Sequence, residues 1–131
     1  MLKLSKEFLT EIQIHGEEAY SEECCGAMLG NVNYDTMEKS VTKLVKIENS
    51  SSENRHRRFE VTDKDYQELE AQAKDSGLTL LGFYHTHPDC PSVPSETDLA
   101  YAWPFFSYII LSVNNRKADT INSYVLDLDS S

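Results

Sequence analysis

The chain has 131 residues, 22 acidic side chains against 12 basic ones, a formal net charge of −10 and 40% hydrophobic residues. That length is enough for one domain with a buried core, so residues 1–131 are expected to form a single domain. The acidic balance excludes a nucleic-acid partner, since phosphate backbones are held by lysine and arginine, and no stretch approaches the ~20 apolar residues of a membrane span.

In chain order, residues 5–19 predict a helix. Ser5 suits an N-cap, and Phe8, Ile12, His15 and Ala19 recur at spacings of three and four. Gly16 interrupts the pattern. His15 falls on the inward stripe and is expected to be a packed, half-buried histidine, not a metal ligand. Charges at Lys3, Lys6, Glu7 and Glu11 leave no apolar leader core. Residues 24–29 predict a buried strand with Gly30-Asn31 as the turn after it. Residues 37–47 predict a second strand carrying Val41, Leu44 and Val45. Residues 48–56 are polar and turn-like, and Arg55-His56-Arg57-Arg58 is expected to be a solvated patch.

Phe59 and Val61 predict a short strand. Thr62 then caps a helix whose apolar stripe is Tyr66, Leu69 and Ala73, ended by Ser76-Gly77. Residues 78–87 predict a strand, 95–102 a helix, 108–113 a strand, Asn114-Asn115 a turn, and 123–128 a last strand. Strands alternating with helices predict an α/β fold with a mixed central sheet flanked by helices. Three cysteines, two of them adjacent, fit a reducing, cytoplasmic setting better than a disulfide framework. Cys24 and Cys25 are expected to fill the core and Cys90 to lie at the surface. Trp103, Phe105 and Phe106 are expected to pack in the core.

The chemistry concentrates in residues 85–98. His85 and His87 stand at the end of a strand, where alternation aims both to one side, and Thr86 to the other. Asp98 adds a carboxylate, so the trio offers three ligands of a catalytic zinc site with an open fourth position. Pro88, Pro91 and Pro94 stiffen the loop between them. Ser95 and Asp98 also have the spacing of a capping box, which is compatible with a metal role for the other carboxylate oxygen. A zinc hydrolase further needs a carboxylate to carry protons. Glu17, Glu18, Glu22, Glu23, Asp89 and Glu96 are all candidates. Glu22 and Glu23 are favoured, because both directly precede a buried strand.

These residues together resemble the JAMM (MPN+) zinc metalloprotease family. Its motif is a Glu, then His-[Ser/Thr]-His, seven residues, Ser, two residues and Asp, and the chain matches it at His85, Thr86, His87, Ser95 and Asp98. The family's Glu lies three residues before a glycine that leads into an apolar strand, which singles out Glu23 through Gly26. The resemblance implies a JAMM/MPN, cytidine-deaminase-like sheet. It implies Zn²⁺ held by His85, His87 and Asp98, Glu23 as general base and acid, and Ser95 as hydrogen-bond donor to the oxyanion.

Being compact, the chain is similar to the small prokaryotic type. That type implies hydrolysis after the C-terminal Gly-Gly of a ubiquitin-like, β-grasp sulfur carrier. Two other readings are a non-catalytic MPN-like binding module, whose relatives typically lack some of these ligands, and a zinc hydrolase of small amides.

Overall fold

The computed structural model describes residues 2–47 and 63–125. Its elements are β1 (Leu2–Lys3), α1 (Lys6–Ala19), β2 (Cys25–Asn33), β3 (Glu38–Ile47), α2 (Asp63–Asp75), β4 (Thr79–Pro88), α3 (Glu96–Tyr101), β5 (Ser107–Asn114) and β6 (Lys117–Val125). The six strands form one mixed sheet in the order β1-β3-β2-β4-β5-β6. The β1–β3 and β4–β5 pairs are parallel, and the others are antiparallel. The expected α/β class is therefore present.

Alternation divides the central strands between two cores. Met28, Leu81, Tyr84, Leu111 and Val113 face Ile12 of α1. Ala27, Leu29, Leu80, Phe83 and Tyr108 face Leu69 and Ala73 of α2. Each such large side chain contributes roughly 1.5–3 kcal/mol when fully buried. The strands are thus clamped from both sides, and the clamp reaches the residues flanking the two histidines.

The helices begin where the capping residues put them. Ser5 accepts from the Phe8 amide at the start of α1. Ser95 caps α3 in a reciprocal box with Asp98. His15 is part-buried, its Nδ1 lying 2.7 Å from the Tyr84 hydroxyl. Cys24 and Cys25 are buried free thiols and Cys90 an exposed one.

Three expectations are corrected. Gly30-Asn31 is not a turn: β2 runs on to Asn33, with a register shift between Leu29 and Gly30. Gly30 is there because a Cβ would come within 1.9 Å of the Ser40 carbonyl oxygen, so it marks a close approach of two strands. The chain turns instead where Asn33 Oδ1 accepts from the amides of Asp35 and Thr36.

The last strand begins at Lys117 and not at 123. Its outer position leaves most of its residues solvated, so the apolar signal used to find strands is missing. The aromatic cluster is also split. Phe106 stacks on Tyr66 and meets Phe83 edge-on, but Trp103 is 58% exposed. The patch Arg55-His56-Arg57-Arg58, the strand at Phe59 and Val61, the Thr62 cap and residues 126–128 lie outside the described residues.

Candidate metal centre

The end of β4 presents His85 and His87 on the side away from α1, while Thr86, completely buried, faces the other way. The loop of residues 89–95 then leads the chain into α3, whose first turn carries Asp98. The His85 and His87 Nε2 atoms lie 3.2 Å apart. Asp98 Oδ1 lies 3.2 Å from His85 Nε2 and Oδ2 3.1 Å from His87 Nε2. All three side chains are largely shielded from solvent.

The donor set can hold a metal ion, and its spacing suits zinc. Tetrahedral coordination with Zn–N near 2.0–2.1 Å sets ligand atoms roughly 3.3 Å apart. The second shell agrees. His87 Nδ1 lies 2.8 Å from the Pro91 carbonyl oxygen, which can only accept, so Nδ1 carries the proton and Nε2 keeps its lone pair for a metal. Asp98 Oδ2 accepts from the Ser95 amide at 2.8 Å, and Ser95 Oγ accepts from the Asp98 amide at 3.0 Å. The capping box and the ligand role are thus one arrangement. Because the cap uses a lone pair of Ser95 Oγ, the hydroxyl proton can still be donated.

The electrostatics are those of a site built for a cation. Burial would raise the Asp98 pKa, but hydrogen bonds from His85, His87 and the Ser95 amide outweigh it and hold the carboxyl far below its usual range. Burial would lower the His87 pKa, but its bonds to Asp98 and Pro91 and the charges of Asp98 and Glu23 leave it raised. His87 beside the Asp98 carboxylate thus attracts a proton when no metal is bound.

Of the six carboxylates considered as proton carriers, Glu23 is the buried one. Burial raises its pKa to about 7, with His87 opposing and Asp98 reinforcing the shift. Both charged neighbours belong to the ligand trio, so Glu23 shares its electrostatic environment. Two rivals are otherwise engaged. Glu17 Oε2 accepts from the Ala118 amide at 2.8 Å. Asp89 accepts from the Tyr20 hydroxyl and, at 2.9 Å, from the Asn115 amide. Gly26 has a clear steric reason: a Cβ there would meet the Tyr84 ring at 2.1 Å, where β2 crosses β4. Cys24 and Cys25 are not nucleophiles, since burial lifts the Cys24 thiol to about 11 and raises the Cys25 thiol well above its usual value.

Sequence reasoning missed what holds the loop. Ser112 Oγ donates to the Cys90 carbonyl at 2.6 Å. Asn122 Nδ2 donates to the Ser92 carbonyl at 2.8 Å, and the Ser92 and Thr120 hydroxyls lie 2.8 Å apart. The Asp89 amide donates to the Val113 carbonyl at 2.8 Å. The loop is therefore fastened to β5 and β6. These partners lie 22 to 30 residues along the chain from the loop groups they hold, and no local spacing signals such pairs.

The chain is 32% identical over 95 residues to Desampylase of Haloferax volcanii, a match covering 72% of this chain and 65% of that protein. Its fold is similar to solution structures of a protein from Salinibacter ruber (40% identity, TM-score 0.74, 97% of this chain and 83% of that one) and of a protein from Desulfitobacterium hafniense (25% identity, TM-score 0.82, 98% and 86%). It also shares the fold of a JAB1/MPN domain protein from Archaeoglobus fulgidus (18% identity, TM-score 0.61, 94% and 88%). The model of the prokaryotic homologs of the JAB domain matches residues 5–127, and the chain belongs to that family.

Proposed function

We propose that this protein is a zinc-dependent peptidase or isopeptidase that hydrolyses the bond after the C-terminal Gly-Gly of a ubiquitin-like, β-grasp carrier protein. The observation that carries the reading is the convergence of His85 Nε2, His87 Nε2 and the Asp98 carboxylate, with buried Glu23 in the same field. Similarity to a desampylase supports the substrate class. The three free cysteines and the absence of any membrane-crossing helix among the described residues support the reading of a cytoplasmic enzyme. We also read residues 1–131 as one domain, since one sheet runs through the described residues.

Zinc held by His85, His87 and Asp98 would supply Lewis acidity, acidifying a water and polarising the scissile carbonyl. Glu23 accepts the proton of the attacking water and delivers it to the departing amine. A carboxyl poised near neutrality suits both transfers, because efficient acid–base catalysts have a pKa close to the working pH. Ser95 donates its hydroxyl proton to the oxygen on which charge develops, an interaction typically worth ~3 kcal/mol in the transition state. Gly-Gly fits a narrow groove beside these groups, since glycine lets the peptide backbone approach closely.

The test is a side-by-side assay. A β-grasp carrier extended past its Gly-Gly, short peptides and simple amides are offered to the zinc-loaded protein under the same conditions. Cleavage of the extended carrier after Gly-Gly, with the small substrates slow, is the expected result. Equal or faster turnover of simple amides would instead make this a small-amide hydrolase. No turnover of any substrate would point to a binding module.

A further inference from the structure

Thr86 lies between the two histidines, yet it faces away from the metal pocket. What it touches there gives it a role. Regular pairing of β2 with β4 stops at Cys25 opposite His85. Glu23 lies beyond that point, on a segment outside any helix or strand. Thr86 extends the connection by one residue. Its amide donates to the Cys24 carbonyl at 3.1 Å, and its hydroxyl oxygen accepts from the Cys24 amide at 2.9 Å. The hydroxyl proton is left for Cys24 Sγ, at 3.7 Å. A single residue of the metal strand therefore holds both backbone groups of the residue next to Glu23.

The hydroxyl is not free to turn elsewhere. Thr86 is β-branched and completely buried, so one methyl and one hydroxyl must share a fixed space. A Cβ on Gly16 would lie 2.9 Å from Thr86 Cγ2, with Val113 and Leu111 crowding the same point. Helix α1 thus presses on the methyl side, which leaves Oγ1 toward Cys24. This also accounts for a glycine in the middle of α1.

We propose that Thr86 is a positioning residue for Glu23: α1 fixes its side chain at Gly16, its hydroxyl fixes the Cys24 backbone, and that backbone sets the direction in which Glu23 enters the metal pocket. The proposal rests on the reading of Glu23 as proton carrier. It distinguishes Thr86 from a residue that merely fills space, because a side chain of the same shape without the hydroxyl would not do.

The experiment compares Thr86→Val and Thr86→Ser with the parent in three measurements: zinc content, the KM-against-kcat split on a Gly-Gly-extended carrier, and hydrogen exchange at the Cys24 amide. Thr86→Val is expected to keep its zinc and the parent's KM. Its kcat should fall about tenfold to hundredfold, the usual penalty for a reacting group displaced by about an ångström. Its Cys24 amide should exchange about tenfold faster or more, having lost its acceptor. Thr86→Ser should recover most of both.

A zinc-loaded Thr86→Val protein with the parent's kcat and the parent's Cys24 exchange overturns the proposal. So does a serine variant as impaired as the valine one, which would make packing of the methyl the cause. Should Thr86→Val fail to fold, Gly16→Ala takes its place, because it crowds the methyl and leaves the hydroxyl intact. It is expected to lower kcat at constant KM and speed Cys24 exchange, and no change in either overturns the proposal. Parent-like turnover by Glu23→Gln would sink the proton-carrier reading itself, an outcome separate from any change in Cys24 exchange.

Discussion

The two faces of β4 contrast sharply. One carries His85 and His87, polar and only partly buried, beside Asp98. The other carries Tyr84 and Thr86, at 1% and 0% exposure, pressed against α1. The reactive end of β4 continues the face that Phe83 packs into the α2 core, and its ligands are also held by the packed face behind them and by the loop fastened to β5 and β6. Sites of this kind need their ligands held to within a fraction of an ångström. The contrast implies that mutations on the two faces should fail differently: the histidine face should lose chemistry while keeping the fold, and the α1 face should lose stability as well.

The largest effect should come from the ligands. Asp98→Ala removes the carboxylate that both histidines face, so zinc occupancy and turnover should drop to background. The sheet and both cores should persist, giving a circular dichroism spectrum like the parent's and a cooperative melt. A variant that retained zinc and cleavage would break the proposed division between the faces. Chelation of the parent should act in the same way. It should abolish turnover and lower Tm modestly, since a ligand bound only by the folded state stabilises by mass action, but it should not unfold a protein whose cores lie on both sides of the sheet.

Next comes Ser95→Ala. Loss of the oxyanion donor should reduce kcat about a hundredfold or more. Loss of the N-cap of α3 should cost a further ~1 kcal/mol of stability. The two parts separate by experiment: kinetics at saturating zinc reads the first, and denaturant unfolding of the metal-free protein reads the second.

A smaller effect concerns protons on the histidine face. His87 has a raised pKa in the metal-free fold. The contribution of its proton to stability is therefore complete below about pH 6.5, its unfolded value, and is lost as pH rises through the raised folded value. Zinc has the opposite dependence, because it must displace that proton. Zinc affinity should climb with pH through this window, by about tenfold per unit for each proton released. Calorimetry in buffers of different ionisation enthalpy counts the protons. A pH-independent affinity would show that His87 is already neutral.

The smallest effect lies on the packed face. Burial, with Lys46 nearby, lowers the His15 pKa, Glu18 partly opposing. The fold therefore favours neutral His15. That contribution is present above the unfolded value and declines as pH falls below it. Urea unfolding between pH 5 and 8 should show a shallow decline on the acid side that His15→Gln flattens.

Much of this was legible in the chain, for identifiable reasons. Residues 85–98 spell out a metal site because strand alternation, a stiff loop and a helix cap are all local rules. Elements with a buried face announced themselves by periodicity. Two-residue β1 and the solvated first part of β6, residues 117–122, did not, one too short and the other too polar. Gly30 was misread because a glycine required by a neighbouring strand looks the same in sequence as one required by a turn. Local rules could reduce the proton carrier only to Glu22 or Glu23. The difference between the two is a matter of burial and long-range charge, created when β2 pairs with β4 across about sixty residues. Tyr20, Ser112 and Asn122 were invisible as supports for the same reason.

The central claim is that Glu23 moves the protons while His85, His87 and Asp98 hold the metal. Its most direct test is the rate of Gly-Gly-extended carrier cleavage by Glu23→Gln against the parent, at equal and measured zinc occupancy. The account predicts full zinc binding and a rate lower by about a hundredfold to ten-thousandfold, the usual contribution of a general acid–base group. Parent-like cleavage by the zinc-loaded variant would contradict it.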